Sequence, residues 1–353
     1  MDISVIGAGG DVGREIVAQL VAARVLRPTE RLQLVGKGLG ASERTLYGLR
    51  SDLTDAYAES VPQIDIAVRP EDVVGDVIVM AAGVSSRTDS PVRDRDAFAS
   101  ANKAIFIQYA EALATYGHGS EVVLVVSNPV ELGVAVFAGQ LGARRVIGIG
   151  AYSDSLRFRR EIAADLGVPR QLVTGYVAGE HGNHLIPLWS SVRVYGMDDA
   201  ATSHAVARLR GPYPLLDFQK RVREYRDSIQ HLLTTDTRQA FNAVELMPPD
   251  IRVQLRPELT HLSGSKTVMA TANVTVDMVK HIVDGRELTV AGQIVLEGDG
   301  FYGIRGVLGV PLIASNQGVV RVLTPPIWQE EAYALHEAAA AIGRKIECWT
   351  VEA

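Results

Sequence analysis

Cysteine is nearly missing: Cys348 is the only one in 353 residues. That excludes an intrachain disulfide and any metal cluster built on several cysteines, so a reducing compartment, the cytoplasm, is the expectation. Long apolar runs are missing too, and none approaches the roughly 20 residues that cross a bilayer. The N-terminal MDISVIGAGG reads as strand and turn, not as a charged segment leading into a signal-type stretch. Positive charge is not in excess. Thirty-five Lys and Arg against 41 Asp and Glu give a formal net charge of −6, so no nucleic-acid partner is expected. Low-complexity tracts and internal repeats are absent. What remains is a globular composition, 47% hydrophobic and 22% charged, on a chain long enough for two subdomains.

The first half alternates short apolar runs with amphipathic stretches, the pattern of a parallel sheet flanked by helices. Strands are predicted at 3–6, 32–35, 64–68, 77–82, 122–126 and 146–149. After the first strand, Val12, Ile16, Val17, Leu20 and Val21 share one helix face, and a long helix is predicted over 97–113. The second half opens with a helix over about 154–166 and a strand over 173–178. Residues 198–260 are polar, carry Pro212, Pro214, Pro248, Pro249 and Pro257, and read as a surface elaboration, helical over 216–233. A helix over 274–283, strands near 288–296 and 319–323, and a helix over 330–342 close the chain.

Gly7, Gly10 and Gly13 are spaced by three, with Gly9 among them, between the first strand and its helix. Glycine lets the backbone turn tightly against a pyrophosphate, which then sits on amides at the helix N-terminus, here those of Asp11 and Val12. A plain strand-to-helix turn is the alternative, but the strand before and the amphipathic helix after are the context that a dinucleotide site requires. The fold class is therefore α/β. A Rossmann-type doubly wound parallel sheet is expected over 1–151 and an α+β substrate domain over 152–353, enlarged by helices over 198–260. Where an NAD site carries an acid after its second strand, this chain has Gly36-Lys37, followed by Ser42 and Arg44. Without that carboxylate a 2′-phosphate is not repelled, and a nearby cation attracts one. A solvated surface lysine would look the same. The reading favours NADP(H), with NAD(H) as the alternative.

His181 lies between glycines in Gly179-Glu180-His181-Gly182. Glycine adds no side-chain packing and leaves the imidazole reachable, which suits proton transfer near neutral pH. Asp154 and Arg157, at i and i+3, share a helix face. As a surface ion pair they would be worth little. Asp154 could instead fix the tautomer of His181, while the planar fork of Arg157 suits a carboxylate. Ser127-Asn128-Pro129 ends a buried strand at the edge where ligands gather. Residues 83–102 place Arg87, Arg93 and Arg95 in a polar stretch, either a solvated loop or a lid over an anionic substrate. The remaining histidines show no metal-ligand spacing, so no metal is expected.

These residues resemble the lactate/malate dehydrogenase family of L-2-hydroxy-acid dehydrogenases. The resemblance runs through VIGAGGDVG (5–13), VMAAGVSSR (79–87), RDAFASAN (95–102), VVSNPVE (125–131), VIGIGAYSDSLRFRREIAADLGV (146–168) and GYVAGEHGNHLIPLWS (175–190). It is weaker in GSKTVMATA (264–272) and GVPLIASNQGVV (309–320). It implies that His181 exchanges the proton with Asp154 behind it, that Arg157 binds the 1-carboxylate, and that Asn128 bonds near the carbonyl. Arg95 would polarise the carbonyl. Arg87 would mark the malate type, with Arg93 the alternative because the lid is a few residues longer than usual, and Thr267 would line the substrate pocket. Ala82, Gly83, Asn102 and Ser127 would border the cofactor. Asn183 and Tyr152-Ser153 depart from the usual pattern.

The expected reaction is reversible hydride transfer between a nicotinamide cofactor and a 2-oxo/L-2-hydroxy acid pair, with oxaloacetate/malate leading. Lactate, or an acid with a branched, phosphonate or sulfonate group, is the alternative. The resemblance implies a homodimer or homotetramer. An NAD-dependent glycosidase would need a cysteine-held metal, for which Cys348 is badly placed. An inactive dinucleotide-binding protein would not need Asp154, Arg157 and His181 together.

Overall fold

Short runs rich in Val, Ile and Leu form the strands of a parallel sheet with helices on either side, fully buried at its centre and partly exposed at the edge strand 63–67. They are β1 (Ile3–Ile6), β2 (Arg31–Val35), β3 (Gln63–Ala67), β4 (Val77–Met80), β5 (Val122–Val125) and β6 (Val146–Gly148). All run parallel in the spatial order β3-β2-β1-β4-β5-β6. The computed structural model describes residues 1–38, 40–84, 95–182 and 184–351, without the side chains of 95–98, 350 and 351. The sequence anticipates these six strands to within a residue or two.

Helices α1 (Asp11–Ala22), α2 (Ala41–Ala56), α3 (Arg95–Tyr116) and α4 (Val130–Leu141) fill the connections. In α1, Ile16, Val17, Leu20 and Val21 are buried one turn apart. Each such side chain contributes about 1.5–3 kcal/mol when taken out of water. Helices α2 and α4 were not predicted, for opposite reasons. Only Leu46 and Leu53 of α2 are buried, too thin a stripe to stand out. α4 is apolar almost throughout, so it has no contrasting face to set a period.

The second half comprises α5 (Gly150–Leu166), β7 (Val173–Gly179), β8 (Leu185–Val194), α6 (Asp199–Arg210), α7 (Phe218–Thr235), α8 (Thr237–Glu245), α9 (Pro249–Leu262), α10 (Val268–Val283), β9 (Leu288–Glu297), β10 (Arg305–Ser315), β11 (Gly318–Val322) and α11 (Gln329–Val351). The sheet continues through β6-β9-β10-β7-β8 with antiparallel pairing, and β11 lies on β10, giving 11 strands among the described residues.

Three expectations need correction here. α5 starts at Gly150, so Asp154 sits in its second turn and not at its start. β8 and β10 went unseen because Pro187, Gly306, Gly309 and Pro311 interrupt their pattern. Residues 198–260 are four helices, and α9 is no surface feature: Ile251, Val253, Leu255 and Leu259 are buried. So is Arg252, which binds Glu161 at 2.7 Å and the carbonyls of Glu245 and Met247. Among the described residues, no helix is long and apolar enough to cross a membrane.

Candidate active site

The glycine turn closes at the carboxyl ends of β1 and β4, where the strand order reverses and open α/β sheets bind ligands. Gly7 has φ +87°, and a Cβ there would meet Cα of Ala82 at 2.6 Å. A Cβ on Gly13 would lie 2.1 Å from the carbonyl oxygen of Gly7. Only glycine permits this packing. Gly10 N donates to Gly7 O at 3.0 Å, and the first turn of α1 closes with Arg14 N on Gly10 O at 2.8 Å. The amides of Asp11, Val12 and Gly13 thus precede the helical ladder and lack an acceptor within it. This cradle, with its bare backbone and positive helix end, fits the diphosphate of a dinucleotide.

Gly36 follows β2, and Lys37 is exposed, its amide donating to Ser42 Oγ at 3.2 Å. Among the described residues neither Lys37 nor the exposed Arg44 is ion-paired.

Further along the same sheet edge, Asn102 is buried on α3 and uses its whole amide within the protein. Its Oδ1 accepts from Val84 N at 2.6 Å, and its Nδ2 donates to the carbonyls of Val84 (3.2 Å) and Asn128 (2.7 Å). It braces the ends of β4 and β5 at the crevice edge. Gly83 stands against it, since a Cβ there would meet the Asn102 amide at 3.1 Å. Asn128 itself is exposed, and Ser127 Oγ donates to Met80 O at 3.3 Å.

His181 is positioned by α5 and the β7–β8 connection. α5 lies along β7, where Ser155 Oγ accepts Val177 N–H at 2.8 Å and Phe158 packs edge-on to Trp189 at 4.9 Å. Gln293 on β9 accepts the amide of Ala151 at 3.0 Å, fixing the first turn of α5. At the end of β7, Gly179 has φ +89°, and a Cβ there would meet His184 O at 2.3 Å, so the tight exit before His181 depends on glycine. A Cβ on Gly150 would fall 2.5 Å from His181 Cγ, so the imidazole rests directly on the start of α5.

The result is a chain of charged contacts. Asp154 Oδ2 lies 2.8 Å from His181 Nδ1, and Asp154 Oδ1 lies 2.8 Å from Arg157 Nη1. Asp154 is 2% exposed, which removes the surface ion-pair reading. Burial alone would raise its pKa, but His181 and Arg157 outweigh burial and hold the carboxyl below its ordinary range. For His181, burial works against the charge, and the Asp154 carboxylate overcomes it, leaving the imidazole above its ordinary value. With Nδ1 committed to Asp154, Nε2 is the nitrogen available to a reactant, and the 21% exposure of the side chain leaves it reachable. Arg157 spends one nitrogen on Asp154 and remains 14% exposed.

Sequence reasoning missed Glu131, the second residue of α4. Its Oε1 accepts the backbone amide of His181 at 2.8 Å, joining the Asn128 loop to the histidine loop. Burial, reinforced by Glu180, raises its pKa. Glu180 is in turn held by Lys345 of α11, at 2.7 and 2.9 Å. Glu131 lies inside VVSNPVE, but an acid in a helix carries no cue that its partner is a distant backbone amide.

Thr267 precedes the first residue of α10. Arg95 opens α3, with its side chain outside the described residues, where Arg87, Arg93 and Asn183 lie entirely.

The chain is similar to known proteins along its length. The family model for the lactate/malate dehydrogenase NAD binding domain matches residues 1–148. A malate dehydrogenase of Halobacterium salinarum is 25% identical over 98% of both chains. An L-lactate dehydrogenase 2 of Listeria monocytogenes is likewise 25% identical over 98% of both. The crystal structure of a Cryptosporidium parvum lactate dehydrogenase, complexed with lactic acid and nicotinamide adenine dinucleotide, shares the fold. Its TM-score is 0.75 at 21% identity, covering 99% of this chain and 98% of that one. With the glycine cradle at the switch point and Asp154, Arg157 and His181 in one contact chain, the protein is similar to malate and lactate dehydrogenases along nearly its whole length, and its residues 1–148 match the NAD binding domain of that family.

Proposed function

We propose that the protein reversibly reduces a 2-oxo acid to its L-2-hydroxy acid with a nicotinamide cofactor. The single observation that carries this is the contact chain Arg157–Asp154–His181. It sets a carboxylate-binding fork and a proton carrier on the same buried acid. A bound nicotinamide would supply or take up the hydride at the carbonyl carbon. His181 Nε2 then gives its proton to the carbonyl oxygen in reduction and takes it back in oxidation. Asp154 holds the imidazole by Nδ1 and stabilises the imidazolium. The second edge of the Arg157 guanidinium receives the 1-carboxylate in two-point fashion. Asn128, exposed at the end of β5, and Thr267 complete the walls of the pocket.

Arg95, at the start of α3, would polarise the carbonyl. Arg87, or Arg93 in its place, would pair with a second anionic group on the substrate, and this makes oxaloacetate/malate the proposed pair. The relatives matched include malate and lactate enzymes at the same identity, so lactate is the second reading. Gly36 and the exposed Lys37 support NADP(H) over NAD(H). The cofactor half would end near residue 151 and the active unit would be a homodimer or homotetramer in the cytoplasm.

The test is a panel of 2-oxo acids assayed with NADH and NADPH. Oxaloacetate with NADPH should give the highest kcat/KM. A preference for pyruvate would overturn the substrate assignment, and no turnover of any 2-oxo acid would overturn the reaction.

A further inference from the structure

Lys266 lies in the connection between α9 and α10, and its Nζ lies 2.7 Å from Oδ2 of Asp11, the residue that opens α1. The two are 255 positions apart in sequence and meet because α10 packs along α1. The pair is no buried tie. Its side chains keep 35% and 63% of their exposure, and an ion pair that open contributes little to stability.

Its position says more than its strength. Asp11 flanks the amides that precede the first helical bond of α1, where the helix field favours an anion. The carboxylate of Asp11 draws on that field and would repel an incoming diphosphate. The ammonium of Lys266 cancels this repulsion and has further N–H donors to spare beyond the one on Asp11. Arg14, the other cation at the turn, directs Nη2 to Gly9 O at 3.4 Å.

We propose that Lys266 binds the diphosphate of the dinucleotide, with Asp11 holding its ammonium at the mouth of the glycine cradle. The inference rests on reading that cradle as the cofactor site. It makes the cofactor a bridge between the two halves of the chain, because Lys266 adjoins Thr267 on the substrate side. The lysine keeps its bond to Asp11 and adds one to phosphate oxygen.

Calorimetric titration of ADP-ribose, which carries the diphosphate without the nicotinamide, tests this on four proteins: wild type, Lys266→Met, Asp11→Asn and the double variant. Lys266→Met should weaken ADP-ribose about tenfold, the size of one charge-assisted contact. The same loss should separate the double variant from Asp11→Asn, while adenosine binds all four alike. If the double variant binds ADP-ribose as Asp11→Asn does, Lys266 only neutralises Asp11 and the proposal is overturned. Equal binding by Lys266→Met and wild type, or a matching loss for adenosine, overturns it as well. Failure of the wild type to bind ADP-ribose would instead bring down the cofactor reading beneath it.

Discussion

Replacing Asp154 by Asn removes the charge on which His181 depends and nearly keeps the shape. The carboxylate makes 2.8 Å bonds to His181 Nδ1 and Arg157 Nη1 and is 2% exposed, so water cannot take its place. A hydrogen bond to a charged group is worth about 1.5–3 kcal/mol, and about 1.4 kcal/mol moves a pKa by one unit. The imidazole pKa, now held above its ordinary value by Asp154, should therefore fall. Reduction needs His181 protonated and fails as pH rises through its pKa, so the alkaline limb of kcat/KM for 2-oxo-acid reduction should move to lower pH. Oxidation needs the neutral form, so its acid limb should move the same way. The amide can also donate to Nδ1 and favour the wrong tautomer, so turnover near neutrality should fall by roughly 10²–10⁴. Urea unfolding establishes that the variant is folded before its pH profile is recorded. A folded Asp154→Asn protein with both limbs unmoved and near-normal turnover would refute the coupling of Asp154 to the proton carrier.

Arg157→Lys replaces a planar fork by a point charge, so KM for the 2-oxo acid should rise at least about tenfold while dinucleotide Kd stays constant; an unchanged KM would place the carboxylate elsewhere. Gly36→Asp should shift the NADPH/NADH ratio of kcat/KM toward NADH by about tenfold or more through repulsion of the 2′-phosphate. The new Cβ would meet Leu46 Cδ1 at 2.9 Å, a flexible end that can yield, and a native enzyme already preferring NADH would show Lys37 to be a plain surface lysine. Arg87→Gln should narrow or reverse the kcat/KM ratio of oxaloacetate to pyruvate, and a ratio left in place would move the role to Arg93.

The parallel half of the fold was legible because its strands are short apolar runs closed by turn residues, and because Gly7, Gly10 and Gly13 have a fixed job at one sheet edge. Asp154, Arg157 and His181 could be named from type and spacing. Their distances could not, because they depend on α5 lying against β7 and on Gly150 and Gly179 leaving room for the ring. β8 and β10 were hidden by glycine and proline inside strands that barrel into no simple alternation. α9 was misjudged because Arg252 and Asp250 look solvent-facing in sequence, yet each is buried on a partner of opposite charge. Glu131 and Lys266 could not be foreseen, since each matters through a contact that only the tertiary fold creates.

In the proposed 2-oxo-acid reduction His181 carries the proton. Steady-state oxidation of NAD(P)H by oxaloacetate, measured beside direct dinucleotide titration for wild type and His181→Asn, tests it most directly. Turnover should fall by roughly two to four decades with cofactor affinity unchanged. Turnover near that of the wild type would contradict it.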